Sequence, residues 1–185
     1  NVHYRSNGNI SINHRQGKLN AFANISADNN LQDTDGIINR NVVNGNVLSR
    51  FNNTSIDKDR NTGYNLRSGF DFYAGKKSTF GVLFNSGQNR SPFNTPGTTL
   101  ISSNDQLDSS LLTANDNLYK NRRYNINLNY SYADTSGHEL NIDADQTYFR
   151  NTNVSNLATQ YFDKNYQPYD QTANELDMAT RIRIY

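Results

Sequence analysis

Apolar residues recur at every second position along much of this chain, and that periodicity admits one kind of secondary structure. From Tyr64 the even positions read Tyr64, Leu66, Ser68, Phe70, Phe72 and Ala74, while the odd positions read Asn65, Arg67, Gly69, Asp71 and Tyr73. A pleated strand turns successive side chains to opposite faces, whereas a helix needs a spacing of three to four. Gly75-Lys76-Lys77-Ser78 interrupts the pattern as a tight turn. It resumes with Phe80, Val82 and Phe84 against Gly81, Asn85 and Gly87, with Leu83 as a single exception.

A second hairpin follows the same rule. Tyr124, Ile126, Leu128, Tyr130 and Tyr132 alternate with Arg123, Asn125, Asn127, Asn129 and Ser131. Asp134-Thr135-Ser136-Gly137 is dense in turn formers. Leu140, Ile142, Ala144 and Tyr148 come next, opposed by Asn141, Asp143, Asp145 and Thr147. A weaker hairpin opens the chain, with Ile10 and Ile12, a turn at 16–18, and then Leu19, Ala21, Ala23 and Ile25. Near the other end Leu176, Met178, Ile182 and Ile184 alternate with Glu175, Asp177, Arg181 and Arg183. The turns at 16–18, 75–78 and 134–137 recur about every 60 residues. Strands of ~10–12 residues on each side of a turn leave long polar connections near 28–62, 88–121 and 151–173, which are expected to be loops. Val42-Val43-Asn44-Gly45-Asn46-Val47-Leu48 is expected to extend one of them as a hairpin.

The composition says what can cover these stripes. Only 34% of residues are apolar, 32 are Asn, and the net charge is +1. Disordered chains are poor in aromatics and rich in net charge, and this one is neither. No amphipathic helix and no second set of apolar strands is available as a covering layer. Strands this long exceed the globular norm of about 5–6 residues but fit a tilted bilayer crossing. The fold expected is therefore all-β: one antiparallel up-and-down meander of long hairpins over residues 1–185, part of a transmembrane β-barrel. Leu66, Phe70, Phe72, Phe80, Val82, Phe84, Ile126, Leu128, Tyr130, Leu140 and Ile142 are expected to face lipid. Arg67, Asp71, Asn125, Asn127, Asn129, Asp143 and Asp145 are expected to line an aqueous lumen. Tyr73, Tyr130 and Tyr132, near strand ends, suit an interfacial aromatic girdle.

The stretches 64–85 (YNLRSGFDFYAGKKSTFGVLFN) and 118–145 (LYKNRRYNINLNYSYADTSGHELNIDAD) resemble barrel hairpins of the outer-membrane TonB-dependent receptors of Bacteroidetes-type bacteria. The likeness is one of strand grammar: aromatic-x-aromatic before a Gly-Lys or Asp-x-x-Gly turn. It implies a barrel of about 22 strands with an N-terminal plug, active solute uptake, and residence in the bacterial outer membrane. The partners it implies are outer-membrane lipid, the remainder of the barrel and its plug, the TonB system through that plug, and a surface lipoprotein. This chain shows about seven long strands and no plug or leader, so it is expected to be a piece of a larger barrel. Two other classes fit the same alternation: a soluble secreted β-sheet module for glycan binding or adhesion, and a plugless outer-membrane porin.

No enzymatic activity, cofactor or metal is expected. Cysteine is absent, which excludes a thiol nucleophile and Cys-based metal sites. Asp57-Lys58-Asp59-Arg60-Asn61 has oxygen ligands at alternate positions, but a calcium loop needs Gly sixth and an acid twelfth, where Thr62 and Ser68 stand. Asp33-Thr34-Asp35-Gly36 is shorter still. His3, His14 and His138 lack metal-ligand spacing. Arg122-Arg123-Tyr124 and Tyr4-Arg5 could stack on bases or sugars, but with no basic excess elsewhere strand packing is the better account, and nucleic acid is not an expected partner. The Asp143–Asp145 and Arg181–Arg183 pairs are expected on polar faces, where they form ordinary cross-strand ion pairs or face each other across a lumen.

Overall fold

A computed structural model describes residues 4–185, so His3 lies outside the described residues. The chain is all-β. Seven strands run β1 (Arg5–Gln16), β2 (Leu19–Asn44), β3 (Val47–Tyr73), β4 (Ser78–Ser103), β5 (Gln106–Ala133), β6 (Glu139–Asp163) and β7 (Pro168–Ile184). They form one antiparallel sheet in sequence order, an up-and-down meander that stays open, with β1 and β7 as its two edges.

Strands β2 to β6 are more than twice the expected length, at 25–28 residues each. The polar connections near 28–62, 88–121 and 151–173 are not loops. The β2–β3 ladder runs on without a break from Asn29↔Thr62 to Asn44↔Val47, and the β5–β6 ladder continues out to Ser109↔Asp163. Short turns therefore close both ends of the sheet. The near turns are at Gly17, Gly75 and 134–138. The far turns are at Gly45-Asn46, Asn104-Asp105 and 164–167. The 60-residue period is that of two strands of about 27 residues with their turns. The far segments read as loops because they are polar on both faces, yet a β ladder requires only that backbone groups pair.

Turn chemistry sets the register. Gly17 and Gly45 take φ of +57° and +60° as the first of two turn residues, the position that type II′ hairpins give to glycine. The Asn104-Asp105 turn has positive φ at both residues, as type I′ demands. Only two interruptions occur in the β3–β4 ladder, opposite Pro92 and Pro96. Proline has no N–H to donate, so a ladder bond is lost at each. Both prolines keep register with β5, at Leu118 and Ala114.

No hydrophobic side chain among the described residues is buried, and the one buried polar side chain is Ser110. A sheet this large therefore lacks a second layer to hide its apolar surface. Hydrophobic burial, the dominant favourable term in folding, is not supplied from within.

Candidate functional site: the two faces of the sheet

Directly opposed residues of adjacent strands share a face, so the register sorts every side chain. One face, here face A, carries Leu19, Ala21, Ala23, Ile25 and Ala27 of β2 against Phe72, Phe70, Ser68, Leu66 and Tyr64 of β3. On β4 and β5 it continues with Phe80↔Tyr130, Val82↔Leu128, Phe84↔Ile126 and Ser86↔Tyr124. On β6 it ends with Leu140, Ile142, Ala144, Gln146 and Tyr148. Ile10 and Ile12 of β1 join it through Ile25 and Ala23. No Asp, Glu, Lys, Arg or Asn stands among these β2–β6 positions. The side chains are open, Leu128 being 52% and Ile142 54% exposed. About ten residues per strand, at ~3.4 Å rise and a tilt of about 40°, make a band roughly 25 Å tall.

Face B is built from the intervening residues. Arg67, Asp71, Asn125, Asn127, Asn129, Asp143 and Asp145 all lie on it, opposite the eleven apolar residues singled out from the sequence, which all lie on face A. A carboxamide both donates and accepts, so asparagines can relay hydrogen bonds from strand to strand. Asn85 Nδ2 donates to Asn125 Oδ1 at 3.2 Å, and Asn125 Nδ2 donates to Thr147 Oγ1 at 3.0 Å. Asn20 Nδ2 donates to Asp71 Oδ2 at 3.1 Å, and Asn24 Nδ2 to Ser11 Oγ at 2.6 Å. The asparagines within the band all point this way, which accounts for part of their abundance.

Face B is also the crowded side. A Cβ added at Gly69 would lie 2.3 Å from the Phe22 ring, and one at Gly81 would lie 2.4 Å from Asn129. Beside Gly63 and Gly87 the absence of side chains leaves a depression of ≈ 310 Å³, lined by Asp28, Asn65, Asn89, Tyr119, Asn121 and Arg123 among others. Arg123 donates to Asn65 Oδ1 there at 3.3 Å, and Asn89 Oδ1 is buried without a partner. Such a recess offers donors, acceptors and one ring face, a set suited to hydroxyl-rich solutes. Sequence reading missed it because Gly63, Gly87 and Arg123 come from three strands.

Two expectations about side-chain placement need correction. Tyr73 lies on face B, opposite Thr79, with the Arg15 guanidinium 4.7 Å from its ring centre. It therefore does not share a girdle with Tyr130 and Tyr132. The aromatic border at the far side of the band is instead the directly opposed Tyr124 and Tyr148, with rings 6.2 Å apart, and Tyr64 one row further out. Arg181 and Arg183 do not share a face with Asp143 and Asp145. The register Thr147↔Ile184 sets the even residues of β7 against the odd residues of β6, so Arg183 pairs with Tyr148 on face A. Ile182 joins Phe149 on face B for the same reason.

His14 lies in β1 and His138 in the β5–β6 turn. Asp134 organises that turn by accepting from the Ser136 and His138 backbone N–H groups at 2.9 and 3.0 Å. The His138 backbone bond leads in holding the Asp134 carboxyl below its ordinary range. No group of three or more potential metal ligands occurs among the described residues. The chain matches no protein-family model and no curated protein sequence.

Proposed function

We propose that this chain forms part of the wall of an outer-membrane β-barrel, of the TonB-dependent receptor type, that admits a solute to the cell. One observation carries the reading. Across β2–β6 face A is an uncharged apolar band about as tall as a bilayer's hydrocarbon layer, and no protein layer covers it. Acyl chains are the cover that needs no further protein. Face B then lines the passage, and its Asn relays and the Gly63–Gly87 recess give the solute a wet, hydrogen-bonding path. The far halves of the strands rise beyond the membrane and carry the outer turns.

In hydrocarbon an unpaired sheet edge costs several kcal/mol for each exposed backbone group, roughly. The outer edges of β1 and β7 must therefore find further strands to close the barrel. The plug, the TonB system acting through it, and a surface lipoprotein cap are partners of that complete assembly. A plugless porin uses the same wall without the energy-coupled step. A secreted glycan-binding or adhesion sheet would need another way to hide face A.

The test is refolding of the full chain in phosphatidylcholine bilayers and in plain buffer. The expected result is a protease-resistant β-sheet band in bilayers, with the β1 and β7 edges closed by pairing with other copies of the chain, and aggregation in buffer. A monomeric, fully folded sheet in buffer without lipid overturns the proposal.

A further inference from the structure

Immediately outside the far border of the apolar band, face A changes character within one row of residues. Tyr124 and Tyr148 are followed two residues further out by Arg122 and Arg150. The register places Arg122 directly opposite Arg150. Arg150 is in turn directly opposite Arg181. The next row adds Arg90 opposite Lys120, and Arg60 stands two residues beyond Thr62, the β3 partner of Arg90. Six cations from five adjacent strands thus occupy a belt three rows deep, with Arg60 in its outermost row.

Like charges directly opposite one another in a sheet repel. None of Arg122, Arg150 and Arg181 forms an ion pair with Asp or Glu among the described residues. Of the acids on this face, Asp177 of β7 stands level with Arg60, two rows beyond the Arg122–Arg150–Arg181 row, and Asp116 lies further out still. Arg150 Nε is buried and lacks a hydrogen-bond partner. Two depressions open between these side chains. One of ≈ 540 Å³ is lined by Arg60, Arg90, Lys120, Arg122 and Tyr64 among others. The other, of ≈ 260 Å³, is lined by Lys120, Arg122, Arg150 and Thr152.

We infer that this belt is a binding site for membrane lipids whose head groups carry an exposed anionic phosphate, in the leaflet on the side of the far turns. The inference rests on the bilayer reading of face A and goes beyond it by assigning a lipid class and a leaflet. Guanidinium groups present forked donors that match phosphate oxygens, and anions set between them turn mutual repulsion into shared attraction. The position fits, because head groups meet the wall just beyond the aromatic row. A soluble polyanion would fit less well, since this face becomes apolar immediately below the belt.

The test uses the full chain in phosphatidylcholine vesicles, with and without a minor fraction of phosphatidic acid. A labelled phosphatidic acid reads enrichment around the protein. Arg122→Gln/Arg150→Gln/Arg181→Gln is compared with Arg5→Gln/Arg40→Gln/Lys164→Gln, which removes the same charge from face B and a far turn. A cation near an anionic leaflet contributes about fivefold, so three contribute on the order of a hundredfold. The native chain and the control variant should enrich phosphatidic acid, the belt variant should lose most of that enrichment, and all three should insert equally into phosphatidylcholine. Retained enrichment in the belt variant, or equal loss in the control, overturns the inference while leaving the bilayer reading intact. Full competition by free inorganic phosphate would make this a soluble-anion site and also overturn it. Failure of the native chain to insert into phosphatidylcholine removes the bilayer reading and the inference together.

Discussion

Leu128→Arg separates a lipid-covered sheet from any other. Leu128 lies near the middle rows of face A, opposite Val82 and Ala144, and is about half exposed. Lost transfer of that exposed half into hydrocarbon accounts for about 1 kcal/mol. An arginine near the bilayer midplane adds roughly 2–4 kcal/mol. The combined loss of about 3–5 kcal/mol lowers the folding equilibrium constant by two to three and a half orders of magnitude, roughly. Asn127→Arg, one residue away on face B, places the same charge among polar neighbours and should change stability by less than about 1 kcal/mol. The assay is reversible urea unfolding in phosphatidylcholine bilayers, followed by tyrosine fluorescence, since the chain has twelve Tyr and no Trp. Equal effects of the two substitutions would refute the assignment of faces to lipid and water. Improved folding of Leu128→Arg in plain buffer would point instead to a soluble sheet that self-associates through face A.

Further predictions concern turns and packing. Tyr166 holds φ of +60° in the β6–β7 turn and is largely exposed, so Tyr166→Gly should stabilise by ~0.5–1 kcal/mol in the same urea assay. Gly69→Val forces a Cβ into the Phe22 ring and should cost about 1–3 kcal/mol, much of it recovered by adding Phe22→Ala. The carboxyl of Asp134 is depressed in the folded chain. Its contribution to the turn is therefore complete above the unfolded carboxylate pKa of about 3.9 and fades as pH falls through the lower folded value. NMR shifts of the Ser136 and His138 amides should show that acid transition in the native chain and not in Asp134→Asn, which keeps an acceptor but does not titrate.

The near half of the fold was legible because two signals agreed there: strict alternation and dense turn residues at 16–18, 75–78 and 134–137. The sorting of Leu128 from Asn127 followed from parity alone. The far half was obscured because its residues are polar on both faces, so Asp57-Lys58-Asp59-Arg60 reads as a solvated loop although each residue sits in a ladder. Turns at Asn104-Asp105 and 164–167 lack the Gly that marks Gly45, and positive φ at Asn104, Asp105 and Tyr166 left little trace in sequence. Side-chain clusters across strands were the least accessible. The Gly63–Gly87 recess and the Arg122–Arg150–Arg181 row depend on register, and one residue of slip would scatter both.

The most direct test of the central claim exploits the absence of cysteine. Single cysteines placed in turn at each position from 124 to 132 of β5 can carry a spin label in the bilayer-folded chain. Collisions with dissolved oxygen, which concentrates in hydrocarbon, should peak at 126, 128 and 130. Collisions with a water-soluble nickel chelate should peak at 125, 127 and 129. Two profiles that rise and fall together, or uniform access to the chelate along the strand, would contradict a wall with one face in lipid and the other in water.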